Sequence, residues 1–400
     1  MRPTRPQPAQ ARQRGAALML MLVIVVMGIA AALVGSLSTT ALKNARQETT
    51  AVALAQAKDA LIGRAVSDNN MPGSLPCPDT NDDGSAELLS GNDCPSYIGR
   101  LPWKTLDLPD LRDGSGERLW YALSTGFRDD DSARPLNSNT KGTLLIYRAD
   151  GTNPLTEAGY DAVAVIFSPG SILGSQVRST AAEQNSAANY LDIANGRNNA
   201  SASGPFIAGS ISDTFNDQLL FITAKNLMPL VEQRVAGEVK RALANYFSDN
   251  GYYPWADNLL SGGDNYAAND KTNRGWLPRD AAAGSAPDWA VGSPPQWFFD
   301  NQWYALIYYS VAENYTEDPG DCDTCDDNTL SVDGVNGVRT LFFMPGTPIG
   351  TLTRNVENLS HYLEDSQNRD HANDLYVTPT SQAADRDRLY WLSSSSIWKP

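Results

Sequence analysis

The chain of 400 residues contains only two histidines, His361 and His371. It also lacks the motifs of a nucleophilic serine, a zinc-binding histidine pair or a phosphate-binding glycine loop. His361 occupies the place of Asn189 in an internal repeat of the chain, which favours a surface role for it. Because the residue groups that catalysis needs are missing, we do not expect an enzyme.

Basic residues are scarce as well, since 31 Lys and Arg stand against 46 Asp and Glu, for a net charge of −15. A nucleic-acid partner would require a basic face, so this composition argues against one. The charge is also uneven, because four arginines and no acid lie in residues 1–15 and the first acid is Glu48. The remainder therefore carries about −19. The 42% hydrophobic content is enough for two ordinary domains.

Cysteines are few, but the four present form two local pairs, which favours disulfides in an oxidising compartment. A bridge between Cys77 and Cys94 would stabilise the fold by about 3 kcal/mol on the loop-entropy model. Cys322 and Cys325 form a C-x-x-C pair among aspartates. Half a zinc site and a redox dithiol are the alternatives, but no second ligand pair or positive charge accompanies them. A short structural disulfide is expected there, with a second cation site as the weaker option.

One long apolar run stands out against the polar remainder. Residues 16–34 read AALMLMLVIVVMGIAAALV, without a charge or a proline, and a helix of that length can cross a bilayer core. The arginines that precede it place the amino terminus in the cytoplasm and everything after the helix outside. An ordinary secretory signal has its small-residue cleavage site after the apolar region, whereas here Gly15 lies before it.

A basic leader, then Gly15, then an apolar helix resembles the class III signal of type IV prepilins and type II secretion pseudopilins. The resemblance implies that a prepilin peptidase cuts between Gly15 and Ala16 on the cytoplasmic side and methylates the new amino terminus. The alternative is a plain uncleaved membrane anchor. Most members of these families carry Glu at the fifth mature position, where this chain has Leu20. That departure resembles the minor pseudopilin proposed to cap the fibre tip, so it favours a minor subunit.

The helical pattern continues beyond the membrane segment. Apolar residues recur at spacings of three, four and seven between Leu42 and Val66, and no proline follows before Pro72. Residues 16 to about 69 could therefore form one helix roughly 80 Å long. A membrane helix followed by a separate linker helix would produce the same pattern.

Six short segments of the first half recur in the same order in the second half, which indicates an internal repeat. The pairs are Ser67–Pro72 with Ser248–Pro254, Gly99–Pro102 with Arg274–Pro278, Trp120–Leu123 with Trp303–Leu306, Val165–Gly170 with Leu341–Gly346, Asn189–Leu191 with His361–Leu363, and Asp217–Thr223 with Asp387–Ser393. We therefore predict two copies of one head, with Trp120 equivalent to Trp303 and Leu219 to Leu389. Met71-Pro72 and Tyr253-Pro254 are the predicted equivalent turns.

Short apolar runs bounded by Gly and Pro indicate strands in each copy. The predicted fold is α+β, with a long transmembrane-plus-spine helix and two tandem pilin-like heads, each a helix on an antiparallel sheet. The predicted divisions are the leader 1–15, the transmembrane helix 16–37, the first head 38–223 and the second head 224–400. The polar segment 176–213 is predicted to be a surface excursion. A stripe on the second helix should be buried on its own sheet: Val231, Val235, Val239, Leu243 and Tyr246.

The loop between Cys77 and Cys94 has the spacing of the first half of a calcium loop, with a glycine, Gly84, at its sixth position. The candidate ligands are Asp79, Asn81, Asp83, Ser85 and Glu87. Its twelfth position is Ser90, so the usual bidentate glutamate is missing. An acidic solvated turn is the alternative interpretation.

Two functions remain in view. The first is a minor pilin or pseudopilin at the tip or the initiating position of a filament, with prepilin peptidase, other pilins and the inner membrane as partners. The second is a binding module, an adhesin or substrate receptor, that is tethered to the membrane or presented on the filament. Both imply a bacterial inner-membrane protein with a cytoplasmic amino terminus and heads in the periplasm or on an extracellular filament.

Overall fold

The computed structural model describes residues 14–130, 134–257, 271–279, 289, 293–320, 322, 329–370, 373–380, 386–393 and 397–400; for residues 14–20, 22–24 and 28–39 it describes the backbone alone. The fold is α+β, with a long amino-terminal helix on an antiparallel sheet. No helix formed by the described residues combines the length and the apolar character that a membrane crossing requires. Most side chains of the predicted membrane segment, 16–37, lie outside those described.

The helices are α1 Arg14–Ser67, α2 Ala181–Gln184, α3 Ala224–Asn250 and α4 Gln296–Asp300. Helix α1 is continuous over 54 residues, as the single-helix alternative predicted. Its carboxyl-terminal part buries side chains at helical spacing: Ala53, Leu54, Ala57, Leu61 and Ala65. The helix ends at Ser67. The next residue, Asp68, stabilises the following turn, because its Oδ1 atom accepts the backbone N–H groups of Asn70 and Met71.

The first sheet has four strands: β1 Ile98–Arg100, β2 Trp120–Leu123, β4 Ala162–Ser168 and β8 Gln218–Thr223. They are antiparallel neighbours in the order β1-β2-β4-β8. The short strands β3 Ile146–Tyr147 and β7 Phe206–Ile207 pair in parallel, and β5 Ile193–Ala194 pairs with β6 Arg197–Asn198.

Both faces of the first sheet are covered, because alternate residues of a strand point to opposite sides. Tyr121 and Ile166 belong to the core that includes α1. Trp120 and Phe167 belong to a second core on the other face, which Tyr190, Leu191 and Phe206 complete. Parts of the predicted excursion 176–213 are thus a covering layer for the sheet and not only a surface loop.

The second sheet is built around β9 Arg274–Trp276, β10 Tyr308–Val311, β12 Val335–Met344 and β14 Arg388–Ser393. These four strands are antiparallel neighbours in that order. Strand β11 Leu330–Val332 forms a hairpin with β12 and pairs in parallel with β13 Leu375–Tyr376, while β15 Trp398–Lys399 pairs with β14.

The two sheets agree in strand order and also in register. Phe167 pairs with Leu219 in the first sheet, and Phe343 pairs with Leu389 in the second. The predicted equivalence of Leu219 and Leu389 is therefore confirmed. Each closing strand pairs across a register shift at the same place, between Ala162 and Ala164 and between Val338 and Thr340.

The predicted equivalence of Trp120 and Trp303 is wrong. Trp120 begins strand β2 and pairs with Phe167, whereas Trp303 precedes a 3₁₀ helix, Tyr304–Leu306. The residue paired with Phe343 is Tyr308, which is therefore the counterpart of Trp120. The two tryptophans thus lie on unlike elements, and the shared Trp-Tyr-Ala-Leu letters do not mark equivalent positions. Secondary structure in so short a segment follows its tertiary surroundings.

The predicted pairing of the two X-Pro turns is also wrong. The backbone N–H of Leu75 donates to the Phe127 carbonyl, and in the second half the N–H of Tyr253 donates to the Tyr315 carbonyl. Both carbonyls belong to residues that close a short 3₁₀ helix after the second strand. Leu75-Pro76, and not Met71-Pro72, is therefore the counterpart of Tyr253-Pro254.

One hydrophobic core joins α1, α3 and both sheets. The predicted stripe of α3 is buried within it, from Val231 to Tyr246. Contacts also link the halves at the surface of this core: the Arg234 guanidinium donates to the carbonyls of Val66 and Asp68, and the Asn137 side-chain amide donates to the Asn301 carbonyl. Strand β8 ends at Thr223 and α3 begins at Ala224, close to the predicted division of the chain, which stays a prediction.

Candidate functional site

Helix α1 carries the first candidate site, and its two ends differ in environment. Residues 41–49 are exposed, and so are four apolar side chains nearer the amino terminus: Met21, Val25, Val26 and Met27. From Thr50 onward, one face of the helix is buried against the sheet. The described side chains of the amino-terminal part of α1 are thus exposed, whereas its carboxyl-terminal part is packed into the head; the amino-terminal part is called the rod below.

The predicted processing site lies at the beginning of this rod. Residues 1–13 lie outside the described part of the chain, and Gly15 and Ala16 are described as helical backbone only. Cleavage and methylation there remain predictions.

A groove follows α1 where the rod meets the head. It has a volume of about 470 Å³ and lies between Thr49, Val52 and Gln56 of the helix and Leu111 and Arg112 of a loop. The loop touches the helix closely, since the Gly114 N–H donates to the Thr50 hydroxyl at 2.9 Å. The apolar side chain of Val52 is half exposed in this groove.

The predicted disulfide between Cys77 and Cys94 is confirmed, with a Cα–Cα distance of 5.5 Å. Both cysteines are buried in the core beside α1. Cys322 is also disulfide-bonded, whereas Cys325 lies outside the described residues. The bridge of Cys77 with Cys94 excludes a cross-pairing between Cys77 and Cys322.

The predicted calcium loop consists of tight turns, which hydrogen bonds from its backbone N–H groups to its own side chains stabilise. Asp79 is almost fully buried, and its two carboxylate oxygens accept N–H groups from Asn81, Asp82 and Gly84 at 2.7 to 3.0 Å. Loss of hydration on burial raises the pKa of Asp79 above its ordinary value. Gly84 has a φ of +86°, so the glycine at the sixth position does allow the sharp turn.

The other candidate ligands serve the same loop. The side-chain oxygens of Asn81 and Asp83 accept the backbone N–H groups of Asp83 and Ser85, and Glu87 Oε1 accepts the N–H and the hydroxyl of Thr80. The described part of the chain contains no group of three or more His, Cys, Asp or Glu side chains placed to hold a metal ion. The acidic-turn alternative accounts for all of these contacts, and calcium binding stays a prediction.

Sequence reasoning missed Asp82, which has the most external partners in this loop. Its carboxylate pairs with Arg100 at 3.0 Å and with Arg118 at 2.8 Å, and Arg118 also binds Asp110. These pairs raise the pKa of Arg118. The partners lie on strand β1 and beside strand β2, far along the chain, so loop spacing alone could not identify them.

His361 has a local structural contact. Its Nδ1 atom accepts the backbone N–H of Asn355 at 3.0 Å, and its Nε2 atom lies 3.1 Å from the Asn358 side-chain amide. It therefore closes a turn before Tyr362. His371 lies outside the described residues.

A second cavity lies where the halves meet, with a volume of about 460 Å³. Its lining combines polar residues, Asn69, Asp130, Gln296 and Asn301, with apolar ones such as Trp297. Sequence reasoning did not find it, because its two walls are more than 160 residues apart in the chain.

Comparison with known proteins identifies no relative of this chain: no family model, no curated protein and no solved structure matches it.

Proposed function

We propose that the protein is a minor subunit of a type IV pilus or of a type II secretion pseudopilus. The observation that carries this proposal is the continuous helix α1, which is packed on an antiparallel sheet from Thr50 onward and whose described side chains before Thr50 are exposed. The sequence of its first part, residues 16–34, is entirely apolar. An apolar helix of this length must be shielded from water. The membrane would shield it before assembly, and the helices of neighbouring subunits would shield it in the filament. The leader arrangement, with arginines and then Gly15 before the apolar run, supports the same proposal.

The head suits export. The disulfide at Cys77–Cys94 requires an oxidising compartment, which lies on the outer side of the inner membrane in the proposed topology. The absence of an acid at position 20, where most members of these families carry a glutamate, favours a place at the tip or at the start of a filament. An ionised carboxylate without a partner in hydrocarbon would be costly at such a place.

The deciding experiment is co-expression of the full chain with a prepilin peptidase, followed by mass analysis of the amino-terminal peptide. The expected product begins at a methylated Ala16. Gly15→Leu should block cleavage, whereas Gly28→Leu, deep in the apolar run, should leave it intact. A chain that keeps Met1 in the peptidase-expressing strain would overturn the proposal.

A membrane-tethered binding module is the second candidate, and the cavity lined by Trp297 and by polar side chains favours it. The two candidates differ in what touches the rod. A photo-crosslinking residue at Leu42, an exposed position on α1, should link to other subunit helices only if the protein joins a filament. The same residue at Leu88, an exposed position on the head, serves as the control. If neither position crosslinks to a pilin, the result favours the binding module.

A further inference from the structure

A pair of acids with at least one buried member occurs at the same place in each half of the molecule. In both halves an aromatic-leucine-acid segment, Tyr190-Leu191-Asp192 or Tyr362-Leu363-Glu364, follows a short 3₁₀ helix. In both, the second acid immediately precedes the closing strand: Asp217 before β8 and Asp387 before β14. The surroundings match as well, since Arg178 donates to the Asn189 carbonyl and Arg354 donates to the His361 carbonyl.

The first pair is tied together through backbone groups. The Asp217 Oδ2 atom accepts the N–H of Asp192 at 2.8 Å and the side-chain amide of Asn199 at 2.9 Å. In return, Asp192 accepts the N–H of Asn216 at 2.7 Å and the side-chain amide of Gln176 at 2.9 Å. No donor among the described residues reaches the other oxygen of Asp217, although that residue is only 3% exposed.

The second pair shows the same deficiency more strongly. Glu364 accepts the backbone N–H of Asp387 at 3.1 Å. Asp387 is 1% exposed, and within the described part of the chain neither of its carboxylate oxygens has a donor. A buried ionised carboxylate without donors, beside a second carboxylate, is strongly unfavourable.

A proton resolves both deficiencies. If one acid of each pair is protonated, its O–H can donate to the neighbouring carboxylate, and the like charges are reduced to one. We propose that Asp192 with Asp217, and Glu364 with Asp387, each hold one shared proton at neutral pH and thereby fasten the Tyr-Leu segment to the first residue of the closing strand.

The electrostatic surroundings agree with this assignment. Burial, together with the neighbouring acid, raises the pKa of Asp217 to about 8 and that of Asp387 to about 9. Burial also raises the pKa of Asp192. The nearby positive charge of Arg178 opposes this rise but does not cancel it. Asp365 and Arg354 face the second pair with opposite signs.

The consequence for folding has a definite sign. An unfolded aspartate loses its proton near pH 4, whereas Asp217 and Asp387 keep theirs in the folded state until about pH 8 and 9. Between these values the folded state binds more protons than the unfolded state, so stability is highest in acid and falls as the pH rises. Each pair should raise the unfolding equilibrium constant about tenfold per pH unit across this window.

Asparagine provides the test, because its amide can donate to Asp192 or Glu364 as the protonated acid would. In the wild type, the two pairs together should raise the unfolding equilibrium constant about a hundredfold per pH unit across this window. The full-length chain carrying Asp217→Asn and Asp387→Asn should lack this increase. The double variant should therefore be the more stable protein at about pH 8. Asp249→Asn, at an exposed position near the end of α3, should change neither quantity.

A second measurement does not depend on the variants' stability. Unfolding of the wild type in weakly buffered denaturant near neutral pH should release about two protons more than unfolding of the double variant, and each single variant should account for one. Equal proton release by all forms would overturn the proposal. A calcium-induced rise in the wild-type melting temperature that the double variant loses would overturn it too, since the pairs would then bind a cation in place of the proton.

Discussion

The first half of the chain places Arg100 where the second half places Trp276. Both residues lie on the edge strand of their sheet and pair with equivalent partners, Trp120 and Tyr308. Arg100 lies with its guanidinium 4.3 Å from the Tyr190 ring and binds Asp82, whereas the Trp276 ring packs directly against Tyr362 at 4.7 Å.

A related difference concerns what stabilises each half. The first half holds its loop with a disulfide and with ion pairs of Arg100 and Arg118 to Asp82. The described part of the second half has a buried ion pair of Arg274 with Asp374 and many aromatic contacts, such as Tyr308 with Phe343 and Phe342 with Tyr390. Topology and register are thus shared, while the chemistry of packing differs. The backbone hydrogen bonds of a sheet do not depend on which side chains pack over it. Those side chains need only exclude water and leave no buried charge without a partner.

The largest expected effect tests whether the two halves are energetically one unit. Glu232 on α3 is buried and accepts hydrogen bonds from Ser138 of the first half and Arg388 of the second. Glu232→Gln removes the charge that Arg388 and the partly buried Arg354 face, so the free energy of unfolding should fall by about 3–5 kcal/mol. Urea denaturation measures it.

The control for Glu232→Gln lies on the same helix. Glu238 pairs with Arg241 at the surface, and Glu238→Gln should cost less than about 0.5 kcal/mol. Equal effects of the two variants, or two separate unfolding transitions in the wild type, would show that the halves fold independently.

Removal of the disulfides compares how the halves depend on covalent closure. Replacing Cys77 and Cys94 by alanine should lower the free energy of unfolding by about 3 kcal/mol, because the bridge closes a longer loop. Replacing Cys322 and Cys325 should cost about 2 kcal/mol if they form the predicted short bridge. Thermal unfolding under non-reducing conditions distinguishes the two, and a larger loss from the second pair would contradict the loop-entropy account.

A smaller effect should appear at two glycines in equivalent positions. A Cβ on Gly99 would lie 2.5 Å from the Asp79 carbonyl oxygen, and one on Gly275 would lie 1.8 Å from that of Asp257. Substitution by alanine should therefore cost about 1–3 kcal/mol at each, with the greater loss at Gly275. Gly63→Ala on the exposed face of α1 meets no atom within 4 Å and should stabilise by about 0.5–1 kcal/mol. A neutral Gly275→Ala would remove the evidence that both edge strands need this close approach.

Much of the fold could be predicted from the sequence. The apolar spacing on α1 and the valine stripe of α3 predicted helices with one buried face, and the structure buries those faces. The echo of Asp217–Thr223 in Asp387–Ser393 identified equivalent closing strands. The same method failed at Trp303, because four matching letters cannot distinguish a strand from a 3₁₀ turn when both bury the tryptophan.

The candidate sites were predicted less completely than the fold. Cysteine spacing was enough to predict the Cys77–Cys94 bridge, and the glycine at position 84 was enough to predict the turn. Neither the role of Asp82 nor the two acid pairs could be found in this way. Their partners are 18 to 36 residues away for Asp82 and 23 to 25 residues away for the pairs.

The sequence by itself determined the local periodicities of the helices and the sharp turn at Gly84, since each depends on neighbours a few residues apart. Only the tertiary structure decided which acids are buried together, which arginines neutralise the disulfide loop and which tryptophan belongs to a strand. Those outcomes depend on distances between segments far apart in the chain. Burial then determines the protonation and pairing of these groups. Loss of hydration makes an unpaired buried charge unfavourable, and a shared proton or an ion pair removes that cost.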